Sequence, residues 1–335
     1  MKTNILDVTL RDGGYEVDFQ FSRTDVRKVG HALEDAGVKY IEIGHGQGLN
    51  ASNPTNGLAL RTDLEYMSAA QEALTTSHFG FFCIPTFARI SDLDLLKDNG
   101  GYFVRVGANA NKSSILETLP FIEHAREIGL KVFANYMKTY VAAPKEFEEL
   151  ASLSISAGAQ CLSIVDSAGC MMPKDIDVYY HIIKSIDPDI EVGFHGHDNL
   201  GYAVYNTVHA AEIGCDFIDT SLQSLGRGAG NASTEQVMAV LQKEFGNQDY
   251  RLPELMRFSE EYLRHRVKFK GISGLDTYCG IAGFHSGYMN AIRRCADQYE
   301  ISPYELIVEY CKEDRVGMDE MRLEEIAKEI LNRHA

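Results

Sequence analysis

Glu191-Val-Gly-Phe-His-Gly-His-Asp-Asn199 is a short apolar run that ends in two histidines. Side chains of a strand alternate between its faces, so His195 and His197 project the same way, while Gly196 leaves room on the other face. The stretch 200–214 that follows is amphipathic and ends in glycine, and Phe217-Ile-Asp219 then starts a new apolar run. Glycine just past a helix end, followed by an apolar segment, signals a helix stop and a strand start. The signal recurs: Asp35-Ala-Gly37 precedes Tyr40-Ile-Glu-Ile43, and Ser156-Ala-Gly158 precedes Cys161-Leu-Ser-Ile164. Working outward, β-rich runs fall at 5–12, 40–46, 78–84, 102–108, 131–137, 161–167, 191–197 and 217–223, with helical stretches such as 24–37, 113–129 and 144–158 between them. Eight such units in about 240 residues predict an α/β protein built as a (β/α)8 TIM barrel. A doubly wound open sheet would leave two or three of these runs unexplained.

Barrels of this kind place their chemistry at the C-terminal ends of the strands. Here those ends carry Arg11 and Asp12, Glu42 and His45, Arg105, Asn135, Asp166 and Ser167, His195 and His197, then Asp219 and Gln223. A bare His-x-His is equally a hydrogen-bonded pair at a strand end. With Asp12 as a third ligand it becomes a facial metal site with positions left for substrate or water. Next comes Gly226-Arg-Gly-Ala-Gly-Asn231, which either cradles a phosphate or lets the backbone approach the site and aims Asn231 inward as a candidate fourth ligand. Beyond residue 253 the pattern turns helical, over 254–268, 287–299, 303–313 and 321–333. The expected division is a catalytic barrel over 1–250 and a helical domain over 251–335. The glycine-rich segment 276–285 is expected to fold back over the barrel mouth.

A formal net charge of −16 without a basic cluster argues against nucleic acid or an anionic membrane as partner. The seven cysteines are scattered, odd in number and lack Cys-x-x-Cys spacing, which points to reduced thiols and a cytoplasmic location. Asp7, Arg11, Asp12, Glu16 and Asp18 interrupt any signal-peptide core, and no run reaches the roughly 18 apolar residues of a membrane span.

Thr9-Leu-Arg-Asp-Gly13, Ile41-Glu-Ile-Gly-His-Gly46, Val165-Asp-Ser-Ala-Gly169, His195-Gly-His-Asp-Asn199 and 226–231 together resemble the pyruvate-utilising metal-dependent barrel enzymes. Within that superfamily, which includes 3-hydroxy-3-methylglutaryl-CoA lyase and isopropylmalate synthase, the order of motifs and the helical tail resemble the 4-hydroxy-2-oxovalerate aldolases across essentially the whole chain.

The resemblance implies a lyase that reversibly cleaves a 4-hydroxy-2-oxo acid into pyruvate and an aldehyde. Asp12, His195 and His197 would bind Mn2+ or Mg2+, with Zn2+ also compatible; Arg11 would stabilise the pyruvate enolate, and Ser167 would hold the substrate carboxylate. His45 is expected to line the pocket. Strict alternation would turn Arg11 away from Asp12, so the first strand must bend at its end. The aldolases carry histidine where this chain has Tyr15, and tyrosine where Ala282-Gly-Phe-His285 places His285. We therefore expect His285 to take the proton of the substrate hydroxyl and Tyr15 to donate beside it. The resemblance also implies an aldehyde dehydrogenase partner or a homo-oligomer through the tail. Two other readings stand beside this one: an acyl-CoA lyase or synthase, and a non-catalytic metal-binding partner subunit.

Overall fold

The structure is a computed structural model that describes residues 2–268 and 273–334. Eight parallel strands close into a barrel in sequence order. They are β1 (Asn4–Asp7), β2 (Tyr40–Ile43), β3 (His78–Cys83), β4 (Phe103–Asn109), β5 (Lys131–Met137), β6 (Cys161–Asp166), β7 (Glu191–Gly196) and β8 (Phe217–Thr220). Pairing of Asn4 with Phe217 through Asp7 with Thr220 joins β8 to β1 and closes the ring. Helices α1 (Arg23–Asp35), α2 (Asp63–Ala73), α3 (Ile90–Asp98), α4 (Lys112–Glu127), α5 (Pro144–Ser156), α6 (Pro173–Ile186), α7 (Ala203–Ile213) and α8 (Thr234–Phe245) surround it. Each link has a local cause. Before α1, Ser22 Oγ accepts from Asp25 N at 3.2 Å while Asp25 Oδ2 accepts from Ser22 N at 2.7 Å, a reciprocal cap on orphan donors. At the other end of α7, Gly214 (φ 108°) supplies the left-handed residue that turns the chain into β8.

Alternation sorts the strand residues into two cores. Ile5, Ile41, Val104, Val132, Leu162, Val192 and Ile218 face outward and pack with the helices. The inward residues stack in layers, as this fold requires. Tyr40, Phe103, Phe133, Cys161 and Phe217 join Leu6 in an apolar plug, in which the Phe133 and Phe217 rings meet edge to face at 4.9 Å. Two residues further along the same strands stand Glu42, Arg105, Asn135, Ser163 and Asp219, all buried. The barrel thus changes from aromatic to ionic within one layer, and the candidate site lies above that ionic layer.

Three strands end at least three residues before the sequence pattern suggests, and the first matters most. β1 ends at Asp7, not Asp12, because Val8 O collects the N–H groups of Arg11, Asp12 and Gly13 at 3.1, 2.9 and 3.3 Å. That turn releases Arg11 and Asp12 from strand alternation, so both face the site. β2 and β8 likewise stop at Ile43 and Thr220.

After the barrel, α9 (Leu252–Phe258) lies along it, and Leu255 and Leu263 belong to the barrel's core cluster. Helices α10 (Gly274–Ala282), α11 (Met289–Tyr299), α12 (Pro303–Tyr310) and α13 (Glu320–His334) build a separate apolar cluster around Phe284, Ile292, Leu306, Ile307, Ile326 and Ile330. Polar ties hold this tail to the barrel loops: Asn199 Nδ2 donates to Asp276 O at 3.0 Å, and Lys138 Nζ donates to Val316 O.

Candidate metal centre

Each histidine at the end of β7 is oriented by the ring nitrogen that points away from the site. His195 Nδ1 lies 2.9 Å from Asp219 Oδ2, and His197 Nδ1 lies 3.2 Å from Gly230 O. Burial alone would raise the Asp219 carboxyl, but the Arg105 charge and the His195 hydrogen bond outweigh it and hold its pKa below the ordinary value. An ionised Asp219 and a carbonyl oxygen can only accept, so both Nδ1 atoms carry a hydrogen and both Nε2 atoms are left to face the site. Those Nε2 atoms stand 3.4 Å apart. Two ring nitrogens that close are suited to hold one cation between them.

Asp12 completes the set: one ligand atom from each of Asp12, His195 and His197 lies within 4.8 Å of the others, and all three residues are buried. Burial opposes ionisation of Asp12, but Arg11, then the two histidines and Arg227, drive its pKa well below the usual carboxylate range. Asn231 Nδ2 donates to Asp12 Oδ2 at 2.8 Å, and Asn231 Oδ1 is a buried acceptor without a partner among the described residues. Two imidazoles, a carboxylate and a spare amide oxygen fit a divalent ion.

Behind the ligands a continuous chain of ion pairs runs from Asp12 to His195. Asp12 Oδ1 binds Arg11 NH1 at 2.8 Å, and Arg11 Nε binds Glu42 Oε2 at 2.7 Å. The same Glu42 oxygen binds Arg105 NH1 at 3.2 Å, and Arg105 NH2 reaches Asp219 Oδ2, which returns to His195. Each charge in this layer has a partner on two sides, which is what allows ions to be buried at all.

The sequence candidates divide into those that converge here and those that serve the loops. Ser167, just past β6, accepts from the backbone N–H of Lys138 at 3.0 Å. His45 spends both ring nitrogens on its own loop: Nδ1 accepts from Gln47 N at 3.1 Å and Nε2 lies 3.1 Å from Gly57 O, with Phe19 stacked on the ring. Tyr15 leans over Gly46, where a Cβ would come within 2.5 Å of its ring, and burial raises its hydroxyl pKa. His285 reaches the mouth, with Nδ1 accepting from Gly287 N at 3.2 Å and facing Arg227 NH1 at 3.3 Å. Burial, and then the charges of Arg227 and Lys138, hold its pKa well below the ordinary histidine value, so the ring is neutral. A neutral ring that accepts at Nδ1 carries its hydrogen on Nε2. The lone pair that would take a substrate proton is therefore engaged by both Gly287 N and Arg227, and must be released before His285 can act as a base.

Arg227 is the residue that sequence reasoning missed. Its NH2 donates to His197 Nε2 at 3.1 Å, its NH1 to Ser286 Oγ at 2.9 Å, and its backbone N–H lies 3.4 Å from Asp12 Oδ2. A metal ion and this guanidinium would claim the same His197 lone pair, so loading the site would free NH2 for another acceptor. The one signal was the glycine-rich run itself, since Gln223, Ser224, Gly228 and Gly230 all have positive φ (54°, 55°, 65° and 89°) and double the chain back over the ligands. Behind that loop a cavity of about 440 Å³, lined by Glu16, Asp198, Gly226 and Asp276 among others, includes none of the three ligands.

Residues 2–261 match the HMGL-like family. The chain belongs to the HMGL-like family. It is 31% identical over 330 residues to the 4-hydroxy-2-oxovalerate aldolase of Carboxydothermus hydrogenoformans, covering 98% of this chain and 97% of that one. It is 37% identical over 239 residues to the oxaloacetate decarboxylase of Mycobacterium tuberculosis, covering 71% and 70%. Among solved structures, the carboxyl transferase domain of Rhizobium etli pyruvate carboxylase superposes with a TM-score of 0.78 at 13% identity, over 99% of this chain and 61% of that one. At that identity the likeness is one of fold. Among the described residues no helix is long and apolar enough to cross a membrane.

Proposed function

We propose that this HMGL-like chain is a divalent-metal-dependent carbon–carbon lyase that cleaves a 4-hydroxy-2-oxo acid into pyruvate and an aldehyde. The observation that carries the reading is the Arg11 guanidinium, 2.8 Å from the ligand oxygen Asp12 Oδ1. Cleavage of the C3–C4 bond sends its electron pair into a pyruvate enolate, and catalysis requires positive charge where that oxygen becomes negative. When bound, the divalent ion would polarise the 2-oxo group as a Lewis acid. Arg11 stabilises the enolate oxygen, and its own position is fixed by Glu42. Ser167 orients the carboxylate. His285 takes the C4 hydroxyl proton as the aldehyde carbonyl forms, and Tyr15 donates a hydrogen bond to the same oxygen. Hard oxygen ligands on the substrate favour Mn2+ or Mg2+ over Zn2+.

The near-full-length likeness to an aldolase supports this reading over an acyl-CoA lyase or a non-catalytic subunit. The decarboxylase relative supports a second one, since loss of CO2 from a 3-carboxy-2-oxo acid leaves the same enolate. That reaction needs no group to accept a hydroxyl proton, so His285 at the mouth favours the aldolase. The division into 1–250 and 251–335, a cytoplasmic location and a dehydrogenase or second copy docked on the tail belong to the same proposal. Exposed Ile281 and Met321 would serve that contact.

The test is pyruvate release, coupled to lactate dehydrogenase, from a panel of 4-hydroxy-2-oxo acids and oxaloacetate, with Mn2+ and then with EDTA. Metal-dependent pyruvate together with an equimolar carbonyl product supports the aldolase. Pyruvate and CO2 from oxaloacetate alone would replace it with the decarboxylase.

A further inference from the structure

Under the tail, two cations sit close together with no counter-ion among the described residues. Lys138 follows β5 in a left-handed conformation (φ 60°, ψ 42°) and is 2% exposed. Its ammonium donates to Val316 O and lies 3.5 Å from the Tyr288 hydroxyl. Tyr288 in turn lies against His285, with ring centroids 5.5 Å apart, and His285 meets Arg227. Lys138, Tyr288, His285 and Arg227 therefore form one continuous lining. Among the described residues, neither cation has a carboxylate oxygen within 4.0 Å. Asp314, the acid whose charge bears on Lys138, caps the N–H groups of Val316 and Gly317 instead. Burial and the neighbouring Arg227 bring the Lys138 pKa down to about 8, a measure of how poorly compensated this corner is. Beside it, the buried Tyr140 hydroxyl has no partner among the described residues.

An uncompensated buried charge is costly, and a charge-assisted contact to an anion relieves it. The pyruvate half of the substrate does not supply that anion, because the residues proposed for it are Arg11, already paired with Asp12 and Glu42, and Ser167. We propose that the corner formed by Lys138, Tyr288, His285 and Arg227 receives a second carboxylate of the substrate. The preferred 4-hydroxy-2-oxo acid is then a dicarboxylate, and its acceptor fragment is a short oxo acid rather than a neutral aldehyde. This deepens the aldolase reading and rests on it. In the reaction the C3–C4 bond breaks and its electrons form the enolate. The hydroxyl proton passes to His285, C4 becomes the carbonyl of the oxo acid, and protonation at C3 yields pyruvate, so atoms and charge balance. The distal carboxylate also offsets the two charges that depress His285, which makes that ring a better base only when the matching substrate is in place.

The Mn2+-loaded protein would be compared on 4-hydroxy-2-oxoglutarate and 4-hydroxy-2-oxovalerate, which differ only in carboxylate against methyl at C5. In parallel, inhibition constants would be measured for 2-oxoglutarate and 2-oxovalerate, neither of which has the C4 hydroxyl. The expected preference for the dianion is about tenfold or more in kcat/KM and in binding. Lys138→Met should bring both ratios close to one, and Lys138→Arg should restore them. A wild-type protein that favours the neutral compounds, or treats the pairs alike, overturns the proposal while leaving the aldolase intact. No turnover on either substrate, with the binding preference kept, would sink the aldolase reading and support the anion corner. No turnover and no binding preference would sink both.

Discussion

Asp219 Oδ2 receives the Nδ1 hydrogen of His195 at 2.9 Å and is bound at the same time by the guanidinium of Arg105. One oxygen thus sets the tautomer of a metal ligand and is itself kept ionised. Replacing it by Asp219→Asn leaves the shape but removes the charge that demands a hydrogen on Nδ1. Metal affinity should fall by about 10- to 100-fold, as for other groups that orient a ligand from behind. Titration with Mn2+ followed by calorimetry would check it, and an unchanged affinity would separate Asp219 from the centre.

Arg11→Lys keeps one positive charge near Glu42 but cannot reach Glu42 and Asp12 together, as Nε and NH1 do at 2.7 and 2.8 Å. The turnover number should fall by about 10²- to 10³-fold, the size expected for loss of one donor to a developing oxyanion. Steady-state kinetics at saturating metal would show it. Arg11→Ala is the poorer experiment, because it strands buried Glu42 and should cost about 3–5 kcal/mol of stability.

His285→Ala should lower turnover by about 10²- to 10⁴-fold while Mn2+ binding stays unchanged. The accompanying pH profile has a definite sign. A base acts when unprotonated, and burial together with Arg227 and Lys138 holds His285 well below the ordinary histidine value. In the wild type, the acidic limb of kcat/KM attributable to this group should therefore lie below pH 6.5. Near-normal turnover in the variant would return the acid–base role to another residue.

Asp7 offers a stability test remote from the reaction. Burial raises its pKa to about 7, against opposing hydrogen bonds from Thr9 N at 2.9 Å and Thr234 Oγ1 at 2.8 Å. The folded state therefore holds a proton that the unfolded chain releases near the ordinary carboxyl value of 3.8. Stability from this group is complete below that value and is lost as pH rises toward about 7. Thermal melts of wild type and Asp7→Asn between those limits should converge toward acid and diverge toward neutrality, with the variant losing less as pH rises.

The barrel was legible in the sequence because parallel strands buried on both faces read as apolar runs, and glycines such as Gly37, Gly158 and Gly214 mark where helices stop. Asp12, His195 and His197 were legible because strand-end chemistry is local. The hydrogen bonds to Val8 O were not: a bend at the end of the first strand was expected so that Arg11 and Asp12 could both serve, but residues 8–12 read as strand and nothing in their pattern shows where or how the chain turns. Glu42, Arg105 and Asp219 were visible one by one as polar strand residues, but their connection spans partners 63 and 114 residues apart. Arg227 and Lys138 carry no spacing signal at all. Each acquires meaning only when the tail closes over it, and α10, which includes the start of the glycine-rich segment expected to fold back over the mouth, is the element that brings Asp276 onto Asn199.

The chain of ion pairs has a consequence for the order of events. Counting carboxylates and guanidiniums alone, Asp12, Glu42 and Asp219 against Arg11 and Arg105 leave this inner circuit one negative charge in excess. A dication reverses that to one positive, and a single carboxylate returns it to zero. Each arrival makes the circuit attractive to the next, first cation and then anion. Kinetics should accordingly be of the compulsory-order type, with 2-oxo acid unable to saturate protein that has not first taken up its metal.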